Sequence, residues 1–148
     1  MYYDKLDSQI EIIYIKASEH LLEAISFEPF DLVIKPNAIT NMAKIQLSEY
    51  FKEERKEFDL PLNIEGTSFE LAVYQAMLKI AYGQTKSYGD LARASGHDKA
   101  YRAVGSVCGK NKFPIIVPCH RVLKADGQLG HYAFGSDIKA KLLELESH

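Results

Sequence analysis

The spacing of apolar positions changes near residue 37 and splits the first half of the chain into two kinds of element. Before that point, "QIEIIYIKAS" is rich in β-branched residues, and "LLEAISF" and "FDLVIKP" follow at hairpin spacing, which predicts short strands. After it, Ile39, Ala43, Leu47, Tyr50 and Phe51 of "NAITNMAKIQLSEYFKEER" recur at helical spacing. "KEFDLPLNIEG" breaks that period, with Pro61 and Gly66 as punctuation, and predicts a linker. No internal repeat or low-complexity stretch interrupts the pattern.

From Thr67 the pattern is mainly helical. "TSFE" is a capping box, with Thr67 as N-cap and Glu70 three residues on. Phe69, Val73, Met77 and Ile80 line one face of the helix it opens, and Gly83 ends that helix. "SYGD" at 87–90 is a second capping box, opening a short helix that Gly96 ends. Asp98 is the candidate cap of a third helix, "KAYRAVGSVCG". Two short helices joined by a tight turn containing glycine predict a helix-turn-helix. The third helix has an apolar face of Ala100, Ala103, Val104 and Val107, and an opposite face of Arg102, Gly105, Ser106 and Gly109. Glycine disfavours a helix by ~1 kcal/mol relative to alanine. Two on one face therefore suggest close approach to the backbone, by DNA or by a neighbouring helix.

Composition changes little in this picture. Of 148 residues, 47% are hydrophobic and 26% charged, ordinary for a globular protein of one domain or two small ones. No apolar stretch approaches the ~20 residues of a membrane span. The acids of "MYYDKLDSQIE" argue against a signal peptide, so a cytoplasmic protein is expected, or a nuclear one in a eukaryote. Charge adds more. Residues 1–65 hold 13 acids and 7 bases, whereas Lys86–Lys124 hold 8 bases and 2 acids. A basic block of that size fits an anionic partner or a solvated basic face.

The chemistry is concentrated in "FPIIVPCHRV". An apolar run between prolines predicts a buried strand that stops at Pro118. Cys119 follows at once. A lone cysteine is commonly a small buried hydrophobe, but here His120 is a candidate base, and Arg121 and Lys124 offer positive potential that lowers a thiol pKa. A base needs an orienting acceptor. The final helix, "SDIKAKLLELE", buries Ile138, Leu142 and Leu145 on the predicted face, and Glu146 at its border is either that acceptor or a frayed terminal residue. Cys108 and Cys119 lack CxxC spacing, so no disulfide framework or zinc ribbon is suggested.

"PCHRV", preceded by "SYGDLA" and "RAVG" and followed by "GQLGHYAFG" and "LLELE", resembles the O6-alkylguanine-DNA alkyltransferases, the methylated-DNA–protein-cysteine methyltransferases. The likeness is dense from Thr67 to Glu146 and weaker over residues 1–60. It implies an α+β fold: a small ribonuclease-H-like α/β domain at 1–62 and a helical DNA-binding and alkyltransferase domain with the helix-turn-helix at 63–148. It implies DNA repair by irreversible transfer of the alkyl group from O6-alkylguanine to Cys119, once per molecule. Carried over residue by residue, His120 is the water-mediated base, Glu146 its carboxylate, and Asn111 the hinge that fixes the active-site turn. Tyr88 helps rotate the nucleotide and protonates the departing guanine. Arg102 replaces the flipped base in the stack, with Ser87, Ala103, Gly105 and Ser106 on the DNA side. Tyr132 and Phe134 wall the base pocket, while the backbones of Cys119, Val122 and Ala133 read the base edge. Phe134 departs from the glycine of many members, and His131 is also an individual choice. No cofactor and no metal are expected, since the N-terminal half holds His20 and no cysteine. The expected partner is duplex DNA carrying O6-alkylguanine, with no membrane, and the chain is expected to act as a monomer.

Three other classes compete: a lesion-flagging module of the same fold, a helix-turn-helix transcription factor and a cysteine hydrolase. The first lacks the acceptor cysteine present here. The second needs base-reading side chains where this helix carries glycines. The third needs an oxyanion hole that the sequence does not point to.

Overall fold

The computed structural model describes residues 1–30 and 33–148 and divides into two compact units, Met1–Ile64 and Glu65–His148. In the first unit, strands β1 (Tyr2–Asp7), β2 (Ile12–Ala17) and β3 (Leu22–Ser26) form an antiparallel sheet in sequence order. Alternation decides its faces. Along β2, Ile13, Ile15 and Ala17 are buried, while Ile12, Tyr14 and Lys16 are half-exposed. Helix α1 (Ala38–Phe51) buries the predicted stripe of Ile39, Ala43, Leu47, Tyr50 and Phe51. Each fully buried aliphatic side chain contributes ~2 kcal/mol. A capping box of Asn37 and Thr40 starts α1. Threonine at its third position hides it from a search for glutamate or glutamine.

Two expectations change here, whereas β1 falls within the first 35 residues, which read as short strands. Of the third expected strand, Asp31 and Leu32 lie outside the described residues, and Lys35 makes one isolated antiparallel bridge to Tyr3. The expected linker is pinned. Leu22 N–H donates to the Pro61 carbonyl at 2.7 Å, and Asn63 N–H donates to the Leu22 carbonyl at 2.9 Å. The Gln46 amide exchanges two hydrogen bonds with the Asp59 backbone, both at 2.9 Å.

The second unit holds α2 (Ser68–Leu78), α3 (Tyr88–Ala94), α4 (Tyr101–Gly109) and α5 (Ser136–Glu146). Both predicted capping boxes, Thr67 with Glu70 and Ser87 with Asp90, form. α2 stops at Leu78 rather than at Gly83, which lies in the following turn with φ +81°. Asp98 does not cap α4, which begins without a side-chain cap. The core face of α4 is Val104, Val107 and Cys108, with Ala103 exposed. The Cys108 thiol meets Met77 Sδ of α2 at 3.8 Å, which gives that cysteine a packing role.

The run Phe113–Val117 is buried but is not a strand. It folds back on itself, with Val117 N–H donating to the Phe113 carbonyl at 2.8 Å and Ile115 at φ +75°. A β-branched residue in that region is strained by ~1–3 kcal/mol. Burial of Ile115 and the clamp on Val117 described below hold it there. Beyond Pro118 the chain forms a 3-10 turn, Cys119–Arg121, and then β5 (Val122–Leu123). β5 pairs in parallel with β4 (Lys86–Ser87), which ties the cysteine turn to the start of α3. No helix among the described residues is long and apolar enough to cross a membrane.

Candidate active site

Cys119 sits at the start of the 3-10 turn and is only 5% exposed. Asn111 fixes this turn. Its amide accepts from Phe113 N–H at 2.9 Å and donates to the Val117 carbonyl at 2.8 Å and to Cys119 Sγ at 3.2 Å. The Val117 carbonyl can only accept, so the amide orientation is forced and its nitrogen faces the thiol. That contact favours a thiolate, but burial outweighs it and pushes the Cys119 pKa up. This direction is opposite to the lowering expected from Arg121 and Lys124.

His120 is fully buried. Its Nε2 lies 2.7 Å from Glu146 Oε2 on α5. Arg121 is turned to the same carboxylate, donating from Nε to Oε1 at 2.8 Å and from Nη2 to Oε2 at 3.0 Å. Its Nη1 donates to the Ile80 carbonyl at 2.7 Å. Facing a permanently charged guanidinium, Glu146 is an acceptor, so His120 carries its proton on Nε2. Burial lowers the His120 pKa in spite of Glu146, and the neutral ring has a lone pair at Nδ1. Among the described residues, His120 Nδ1 and the Tyr132 hydroxyl are the buried side-chain atoms without a hydrogen-bond partner.

The buried face of α5 is Lys139, Leu142 and Glu146, with Ile138 and Leu145 only half-buried. Lys139 was not among the expected site residues. Its ammonium is fully buried and donates to the carbonyls of Val122 (2.7 Å), Leu129 (2.5 Å) and His131 (3.4 Å). It also lies 5.8 Å from the centre of the Tyr88 ring. No sequence signal marks it, because three scattered carbonyls take the place of a carboxylate partner. Gly83 admits the end of α5: a side chain there would combine a positive φ with a contact of 3.2 Å to the Glu146 carbonyl oxygen.

A cavity of about 780 Å³ is lined by Tyr88, Arg102, Gly105, Ser106, Lys124 and His131 among others, but not by Cys119, His120 or Tyr132. Tyr88 donates to the His131 carbonyl at 3.4 Å, and burial pushes its hydroxyl up to about 12. Gly130, at φ +72°, lets the Tyr88 ring approach, since a Cβ there would sit 3.3 Å from its hydroxyl. Arg102 is exposed, its guanidinium 5.8 Å from the Tyr101 ring centre. Ser87 Oγ is engaged as the α3 cap, and Ala103 is exposed. Val122 and Tyr132 are buried, Ala133 is exposed, and Phe134 meets the Tyr132 ring edge-on at 5.9 Å. The α4 glycines do not serve packing within this unit. A Cβ on Gly105 would touch Tyr88 at an ordinary 3.9 Å, and one on Gly109 would meet nothing within 4 Å.

This chain is similar to known proteins over both units. Residues 1–64 match the family model described as "6-O-methylguanine DNA methyltransferase, ribonuclease-like domain", and residues 68–148 match that of the "DNA binding domain" of the same family. A methylated-DNA–protein-cysteine methyltransferase of Methanosarcina acetivorans is 41% identical, over 99% of this chain and 98% of its own. The constitutive enzyme of that name from Bacillus subtilis is 50% identical over 70% of this chain and 64% of its own. The Mycobacterium tuberculosis OGT solved in complex with DNA superposes with a TM-score of 0.91 at 38% identity, covering 99% of this chain and 93% of that one. The O6-methylguanine-DNA methyltransferase of Pyrococcus kodakaraensis gives 0.71 at 28%, covering 99% of both. With both units matched and relatives of this identity aligned over nearly the full length, the chain belongs to the 6-O-methylguanine DNA methyltransferase family.

Proposed function

We propose that this protein repairs DNA by moving the alkyl group of O6-alkylguanine onto Cys119, once per molecule. The observation that carries this reading is the ordered line from Arg121 through Glu146 to His120 Nε2, which leaves Nδ1 of His120, the residue after the buried Cys119, as an unsatisfied acceptor. His120 takes the Cys119 proton through a bridging water molecule. Sγ attacks the alkyl carbon, the S–C bond forms as the C–O6 bond breaks, and the electron pair leaves on guanine. Tyr88 keeps its proton at rest and serves as the donor to the departing base. The imidazolium then gives its proton up through water to the Tyr88 phenolate, so the net proton transfer is from thiol to guanine. The product is a thioether, and no group in the site cleaves it, so the molecule is spent.

A base stacked in a duplex hides its O6 substituent and must be flipped out at a few kcal/mol. The partner is duplex DNA carrying O6-alkylguanine, taken up by the chain as a monomer. The side-chain-free surface of Gly105 and Gly109 supports a close groove approach, with the exposed Arg102 as the wedge that fills the vacated stack. Tyr132 and Phe134 wall the guanine, and the backbones of Cys119, Val122 and Ala133 read its edge. Asn111 holds the turn that carries the nucleophile. Ser87, Ala103 and Ser106 flank the DNA side.

The test is intact mass after incubation with a duplex containing O6-methylguanine, followed by peptide mapping. One methyl on Cys119, stopping at one per protein, is expected. Tight lesion binding without added mass would make this a flagging module, and no lesion preference would reject the reading. Arg102→Ala should slow repair in duplex more than reaction with a free-base analogue. DNA affinity should also fall with salt as phosphate contacts release counterions.

A further inference from the structure

Tyr101 was not among the expected site residues, and the alkyl-transfer chemistry does not use it. It is the first residue of α4 and is 50% exposed. A ring left half in water forgoes much of the burial through which aromatic side chains stabilise a fold. Its surroundings give it another use. It lines the same cavity as Arg102, Gly105 and Lys124. It stands four positions before Gly105, and residues four apart are neighbours on a helix surface. The ring therefore borders the face where Gly105 and Gly109 leave the backbone bare. The Arg102 guanidinium lies over this ring, 5.8 Å from its centre. A cation held on a ring face keeps its N–H groups free to donate elsewhere.

We propose that Tyr101 is a DNA-contacting residue that works as a pair with Arg102. In the free protein its ring holds the guanidinium at the N-terminal end of α4. The long side chain is then partly ordered before DNA arrives, which lowers the cost of fixing it on binding. On duplex DNA, a groove seated against Gly105 and Gly109 meets the Tyr101 ring as the group that projects beside the bare face. The ring packs there against a sugar or base edge next to the position that Arg102 fills. Every base has a π-face, so such a contact tolerates any sequence. That suits a protein whose target is a lesion rather than a sequence.

This inference deepens the DNA-repair reading and rests on it for Arg102 as the wedge. The first arm needs no lesion. The chain contains no tryptophan, so Tyr101→Trp places a single indole at this position. Its fluorescence is followed as undamaged duplex is added, with acrylamide as a neutral quencher. The indole is expected to become shielded from acrylamide on the duplex. An indole as open at saturating duplex as in the free protein would overturn the contact. Tyr101→Ala should weaken duplex affinity on the order of 10-fold, and Tyr101→Phe, which keeps the ring, should restore it. Wild-type affinity in Tyr101→Ala would also overturn the contact. The second arm is single-turnover methyl transfer from an O6-methylguanine duplex at saturating DNA, in Tyr101→Ala, Arg102→Ala and the double variant. If the ring acts through the guanidinium, the double variant is no slower than Arg102→Ala. A further slowing by the full Tyr101→Ala factor would overturn the pairing. If even the wild type takes no methyl group from the duplex, the functional reading fails, while shielding and affinity still decide whether Tyr101 touches DNA.

Discussion

The two units bury polar groups for different ends. In Met1–Ile64 the buried polar side chains are Asp4, Thr40 and Gln46, and each ties down a neighbouring piece of backbone or a nearby ion-pair partner. In Glu65–His148 they are Asn111, His120, Arg121, Lys139 and Glu146, four of which titrate or carry charge. Both buried side-chain atoms without a partner among the described residues are here. The first pattern is what a fold needs to close its loops. The second concentrates charge around a thiol and leaves an acceptor open, a costly arrangement unless chemistry uses it.

Lys139→Met should break this contrast most sharply. It leaves three carbonyls without their donor, and we expect a loss of about 3 kcal/mol from the second unit. Residue-resolved hydrogen exchange measures it, and a loss below about 1 kcal/mol would mean the ammonium is replaceable by packing. Gln46→Leu is the matching change in the first unit. Two backbone groups of Asp59 lose their partner, for an expected loss of about 2 kcal/mol with no effect on methyl acceptance by Cys119.

The stability of the second unit should also depend on pH from both sides. His120 has a folded pKa below its ordinary 6.5, so the unfolded chain binds the extra proton first and stability is lost as pH falls through 6.5. Cys108 and Cys119 have folded values above 9.0, so the unfolded chain releases protons first and stability is lost as pH rises past 9.0. Each group contributes a slope of up to ~1.4 kcal/mol per pH unit. Exchange rates across this range check both limbs, and a flat alkaline limb would reject the buried-thiol assignment. Cys108→Ala is the mildest change. It should cost about 1 kcal/mol near neutral pH, lower the alkaline slope by one group and leave Cys119 as the methyl acceptor, as read by intact mass.

Elements defined by neighbouring residues were legible in the sequence. The β-branched strand run around Ile12–Ala17, the α1 stripe and two capping boxes depend on residues a few positions apart, and all form as read. The cluster of Cys119, His120 and Glu146 was legible from their residue types and motif context. Other features failed local reading because distant partners decide them. The Phe113–Val117 run has strand composition, yet Asn111 takes its polar groups and turns it back. Arg121 looked like free positive potential until α5 brought Glu146 to it from 25 residues away. Lys139 carried no local signal, because the carbonyls that bury it come from three separate positions. The sequence by itself thus determined the elements, the nucleophile and the candidate base, since period, capping and side-chain chemistry are local properties. Only the tertiary structure decided protonation and orientation within the site, because burial and charge pairing depend on residues that meet through folding alone.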